Sequence, residues 1–204
     1  MKKEQIIRLS ELAVLIAILL LLEVTGLGMI RTFGVEMTIM QVPVIIGAII
    51  IGQNEGAILG AFFGLISFWE CLSGKSVFGT SLYNINPFFT FLVCVPTRAL
   101  MGYLCGLIFH LLDRRLGNTK ANILSYIAAS VSGALLNTLF FMSVLCLCFY
   151  NTEYIQGFVT SLHAGNVLLF AVLFVGIQGL IEAGVCAAIG TIISKAVHYA
   201  LHRN

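Results

Sequence analysis

The sequence predicts an all-α membrane protein, a bundle of six transmembrane helices with both termini cytoplasmic. Three observations carry that reading. Of the 204 residues, 59% are hydrophobic and only 10% are charged, and the mean hydropathy of +1.03 lies outside the range of water-soluble domains. Several apolar runs reach the roughly 18–20 residues that a helix needs to cross a hydrocarbon core, which favours helices over a barrel. Lys and Arg are unevenly shared between alternate loops, and that bias sets orientation. The formal net charge is +2 with the basic residues scattered and no patch, so nothing points to nucleic acid as a partner.

The six spans, read in order, are 9–29, 37–52, 54–72, 87–112, 121–150 and 165–201. Together they use up residues 1–204 as a single transmembrane domain, without linker or low-complexity tract. The first span follows Lys2, Lys3 and Arg8, contains Glu23 and lacks a small-x-small cleavage site, so it reads as a retained span and not a signal peptide. It carries the small-residue pair Ala13 and Ala17, which serves either packing within the bundle or docking of another membrane subunit. The second span is short and broken by Pro43. A tight turn over 52–55 leads into the third span, where Gly52, Gly56, Gly60 and Gly64 recur every four residues and form one stripe for close backbone approach. Gly102 and Gly106 repeat the spacing in the fourth span. The sixth span is too long for one straight crossing.

One face collects Lys2, Lys3, Arg8, Arg114, Arg115, Lys120, Lys195 and Arg203; the other has Arg31 and Lys75. The first face is therefore cytoplasmic. The loops around 31–36, 73–86 and 151–164 face outward and carry Tyr83, Asn84, Asn86, Glu153, Tyr154 and His163. The six cysteines (Cys71, Cys94, Cys105, Cys146, Cys148 and Cys186) lie mostly within apolar runs and form no C-x-x-C pair, so they read as small packing residues.

The residue that most needs an explanation is Arg98, in the fourth span. Counted from Phe88 at about 1.5 Å per residue, it lies roughly 15 Å deep, near the midplane of a core about 30 Å thick. A guanidinium there costs about 2.5–3.5 kcal/mol on insertion scales and requires an anion, carbonyls or water beside it. Asn137 and Gln178 fall at a similar depth, and Glu182 shares a helix face with Gln178 at i, i+4. Two readings compete. Either Glu182 or a backbone carbonyl pairs Arg98 permanently and fixes helix register, or Arg98 faces an outward-open cavity and binds a carboxylate or phosphate of a small ligand, with Asn137 and Gln178 hydrogen-bonding to it. Intramembrane ionisable residues favour the second. Glu23 and Glu70 lie nearer the outer boundary, beside Trp69, an interface anchor.

No catalytic constellation is present. His110, His163, His198 and His202 are dispersed, and there is no H-E-x-x-H, no G-x-S-x-G and no carboxylate pair at helical spacing within a span. No catalytic residue, metal ligand or cofactor is assigned, and an enzyme is not expected.

Six spans in about 200 residues, the stretch Met40–Gly47 (M-x-x-P-V-I-I-G), the glycine series Gly52–Gly64, and Asn86-Pro87 followed by Pro96-x-Arg98 together make a pattern. It resembles the substrate-binding S component of energy-coupling factor (ECF) vitamin transporters, over most of residues 10–112 and more loosely over the rest. Pro96-x-Arg98-x-x-x-Gly102 is most like the pantothenate-type members. The resemblance implies an S-component bundle in the plasma membrane of a prokaryote. Such a bundle captures one vitamin in a pocket between the outer halves of spans four to six, closed by the outer loops, and does no chemistry. It implies that Arg98 binds the carboxylate of pantothenate. Asn137, Gln178, Asn86 and Tyr83 would hydrogen-bond amide and hydroxyl groups, with Trp69 or Phe88 over the apolar part. It also implies that Ala13 and Ala17 dock on a transmembrane coupling subunit, energised by two ATPase subunits, since this chain has no Walker motif. Alternatives are an S component for another vitamin or precursor, such as riboflavin or hydroxymethylpyrimidine, and a stand-alone secondary transporter, which would want inverted repeats or matched broken helices.

Overall fold

The computed structural model describes residues 3–31, 36–116 and 123–201. The fold is all-α apart from one small ribbon. Helix α1 (Lys3–Thr25) begins and ends earlier than the expected 9–29, because Gly26 turns the chain at φ 72°. Strands β1 (Met29–Arg31) and β2 (Glu36–Thr38) then pair antiparallel, Met29 opposite Thr38 and Arg31 opposite Glu36. A plain loop was expected here. The extended backbone runs on instead, and Ile39 N–H donates to the Gly28 carbonyl at 2.9 Å.

Helix α2 (Gln41–Ile50) has Pro43 in its first turn, where a missing N–H breaks nothing. Pro43 therefore starts this helix instead of interrupting it. Every residue from Gln41 to Ile49 is buried, which is the expected place for a helix apolar on all sides. Gly52, at φ 147°, turns the chain directly into α3 (Gln53–Ser73); only glycine adopts that angle without strain.

Helix α4 (Val77–Ile85) starts at Ser76, whose Oγ accepts from Gly79 N–H. The long α5 (Pro87–Leu116) starts with Asn86 as cap, its Oδ1 accepting from Phe89 N–H at 3.1 Å, and Pro87 at the first helical position. Helix α6 is Ile123–Phe149 and α7 is Glu153–Ser161, capped by Thr152. The last span is α8 (Val167–Val185), a π-helical turn over Cys186–Gly190, and α9 (Thr191–Leu201). The short α4 and α7 occupy what the sequence reading treated as outer loops.

Among the described residues, five helices are long and apolar enough to cross a membrane: Gln5–Thr25, Gln53–Ser73, Pro87–Arg115, Ile123–Phe149 and Gln178–Val197. The expected second span is not one of them, because α2 has ten residues, about 15 Å of helix against a core of roughly 30 Å.

The glycine stripes form the central seam. A Cβ on Gly56 would lie 2.6 Å from the Gly102 carbonyl, and one on Gly64 would lie 2.6 Å from the Cys94 carbonyl. A Cβ on Gly60 would run into the carbonyl of Arg98 itself. Helix α3 thus lies backbone to backbone on α5, the most extensive helix pair in the molecule. At the α4 and α7 end, aromatic rings close the bundle. Phe78 packs on Tyr154, Phe158 and Phe174 with centroids 5.6–6.1 Å apart.

Candidate functional site

The seam fixes where Arg98 can point. With its own carbonyl against Gly60, its side chain leaves α5 toward a cavity of about 100 Å3 enclosed by α3, α4, α5, α6, α8 and β2. Arg98 is buried, and one guanidinium nitrogen donates to the carbonyls of Val93 (3.4 Å) and Cys94 (3.0 Å) in the preceding turn. Pro96 sits in the same turn and has no N–H to offer. The Phe63 ring lies 4.6 Å and the Phe141 ring 5.7 Å from the guanidinium carbon, close enough for cation–π attraction. The Nε of Arg98 has no hydrogen-bond partner among the described residues.

Glu182 does not form an ion pair with Arg98 among the described residues. Its Oε1 accepts from Thr38 N–H at 2.8 Å and from Gln178 Nε2 at 3.3 Å, and its Oε2 accepts from Gln41 Nε2 at 3.2 Å. The carboxylate of α8 therefore ties β2 and α2 to its own helix. Asn137, on α6, is 8% exposed and lines the cavity, and its side chain makes no hydrogen bond among the described residues. Gln178 also lines it.

Arg98, Asn137, Gln178 and Glu182 are thus brought together. The other residues expected at the ligand lie outside this cavity. Tyr83 packs edge-on against Phe68, centroids 5.9 Å apart. Asn86 spends its side chain capping α5. Trp69 and Phe88 are 59% and 65% exposed on the outside of the bundle, as suits aromatic side chains near a membrane interface. Ala13 and Ala17 are exposed on α1, along which Leu19 is fully buried.

The sequence reading placed the pocket in spans four to six, closed by the outer loops, and did not name the residues that α3, β2 and the start of α4 contribute. Ser67 and Cys71 of α3, Ser76 capping α4 and Thr38 of β2 all line the cavity. On two helices a signal was available. Thr90, Cys94 and Arg98 form an i, i+4, i+8 stripe on α5, and Phe174, Gln178 and Glu182 form another on α8.

A bundle of apolar helices around a small cavity, mostly apolar but with a few polar groups and one under-partnered cation, fits a membrane protein that holds a small molecule. Comparison with known proteins gives the particular family. Residues 8–194 match the family described as ECF transporter, substrate-specific component, and the chain belongs to it. It is 27% identical over 186 residues to the pantothenic acid transporter PanT of Lactococcus lactis subsp. cremoris, covering 85% of this chain and 92% of that one. It is 36% identical over 77 residues to the pantothenate transporter PanT of Leuconostoc mesenteroides subsp. mesenteroides, covering 38% of this chain and 35% of the other. The protein is accordingly a multi-pass membrane transport component and not a member of an enzyme family.

Proposed function

We propose that this chain is the high-affinity vitamin-binding subunit of an ECF-type ABC importer and that its vitamin is pantothenate. The observation that carries the reading is Arg98: a buried cation with a free Nε beside an enclosed cavity. A ligand carboxylate supplies what that group lacks, and charge-assisted bonds of this kind are the strong ones. Asn137 and Gln178 then meet the amide and hydroxyl groups of the ligand. The similarity to two pantothenate transporters supports the same choice. The chain sits in the plasma membrane of a prokaryote as one transmembrane domain with both termini cytoplasmic, β2 and α2 together making the sixth crossing, and the α4 and α7 end outside. The exposed face with Ala13 and Ala17 docks on a transmembrane coupling subunit, and two ATPase subunits supply the energy.

The test is binding by the purified full chain in detergent micelles, screened by thermal shift and calorimetry against pantothenate, riboflavin and hydroxymethylpyrimidine. Saturable binding of pantothenate alone is expected. Tight binding of another member of the panel, with none for pantothenate, overturns the assignment.

A further inference from the structure

The cavity holds two opposite charges, and the protein leaves only one of them short of partners. Arg98 keeps Nε free. Glu182, 5% exposed, already accepts from three N–H groups supplied by Thr38, Gln41 and Gln178. Three converging donors favour the ionised form of a carboxylate. One of them is a backbone amide, which can only donate. Glu182 is therefore neither the counter-ion of Arg98 nor an acceptor waiting for a ligand. It is a negative charge in the wall of the same cavity as Arg98, and in a medium of low dielectric the field of an ion carries across such a space.

We propose that Glu182 is the specificity-determining charge of this site. The cavity accepts a ligand with a single carboxylate, matched by Arg98, and rejects similar molecules that carry a second anionic group, such as a phosphate ester. The inference rests on the pantothenate reading above and deepens it. Like charges a few ångströms apart in a medium of low dielectric repel steeply, and specificity is often built from such a repulsive element. The single carboxylate of the right ligand meets the same repulsion but has Arg98 to offset it, whereas a second anionic group finds no second cation among the described cavity-lining residues. Apart from its carboxylate, pantothenate has only amide and hydroxyl groups. Phosphorylation of its primary hydroxyl would bring a dianion into the same chamber.

The experiment is calorimetry on the purified full chain with three ligands: pantothenate, its 4′-phosphate ester and its 4′-methanesulfonate ester, in which the group added at the hydroxyl is neutral and similar in bulk. In the wild type the phosphate ester should bind at least about 100-fold more weakly than pantothenate. In Glu182→Gln, nearly the same shape without the charge, that ratio should shrink by about tenfold or more, with pantothenate affinity itself changed less than the ratio. A strut role alone would weaken both ligands alike. An unchanged ratio overturns the proposal. If Glu182→Gln does not fold, the wild type still decides: clearly tighter binding of the neutral ester than of the phosphate ester supports a charge filter, and equal rejection assigns the effect to bulk and overturns it. Absence of pantothenate binding by the wild type overturns the underlying reading, and this inference with it.

Discussion

At the scale of single residues, the site is a matter of which polar groups the protein satisfies and which it leaves open. Arg98 draws on two carbonyls and two aromatic faces, enough to be buried and still short at Nε. Arg98→Ala should cost at least about 100-fold in pantothenate affinity, since a charged hydrogen-bonded pair is lost. Calorimetry measures that, and an unchanged melting temperature in the same micelles shows that the fold survives. Asn137→Ala should cost about tenfold, the worth of one or two neutral hydrogen bonds. Unaltered affinity in that variant would remove Asn137 from the ligand's reach. The polar residues Arg98, Asn137, Gln178 and Glu182 were visible in the sequence because such groups are rare at depth. Thr90, which also lines the cavity, was not, for a physical reason. It donates its hydroxyl to the Asn86 carbonyl four residues back, as such residues commonly do in apolar helices, so its type alone does not mark a cavity wall. Tyr83, Trp69 and Phe88 were placed by residue type, and type does not say which way a side chain at a helix end faces.

At the scale of elements, α3 and α5 behave as one unit, because small residues allow backbone contact along their whole length. Gly60→Ala should destabilise the protein by about 1–3 kcal/mol through overpacking against the Arg98 carbonyl, and should weaken binding as well by shifting Arg98. Gly157, in the exposed face of α7 with nothing within 4 Å of a Cβ, gives the contrast. Gly157→Ala should be neutral or stabilising by about 0.5–1 kcal/mol. Melting curves of the two variants side by side check both signs. The seam was legible as spacing, four residues repeated. Helices α4 and α7 were not, since nine residues give too little periodicity to stand out. Their caps Ser76 and Thr152 were the available signal. The ribbon β1–β2 was hidden because three residues per strand are too few to show alternation.

At the scale of the whole molecule, the binding chamber and the proposed docking face lie on different helices. Ala13 and Ala17 are on the outer surface of α1, and α1 contributes nothing to the cavity lining. Ala13→Trp should therefore abolish vitamin uptake by cells while the purified chain binds pantothenate as before. Uptake at the wild-type rate would remove α1 from the docking face. A last consequence follows from the bond between Thr38 and Glu182, residues 144 positions apart in the chain. Without that carboxylate the Thr38 amide must turn to water. As the ribosome extrudes the chain, the ribbon comes out early, and its last donor has no carboxylate until the final span has been synthesised and inserted. The beginning of the polypeptide is thus finished by its end, and a nascent chain stopped after α6 should expose Thr38 to rapid amide hydrogen exchange that the full-length protein suppresses.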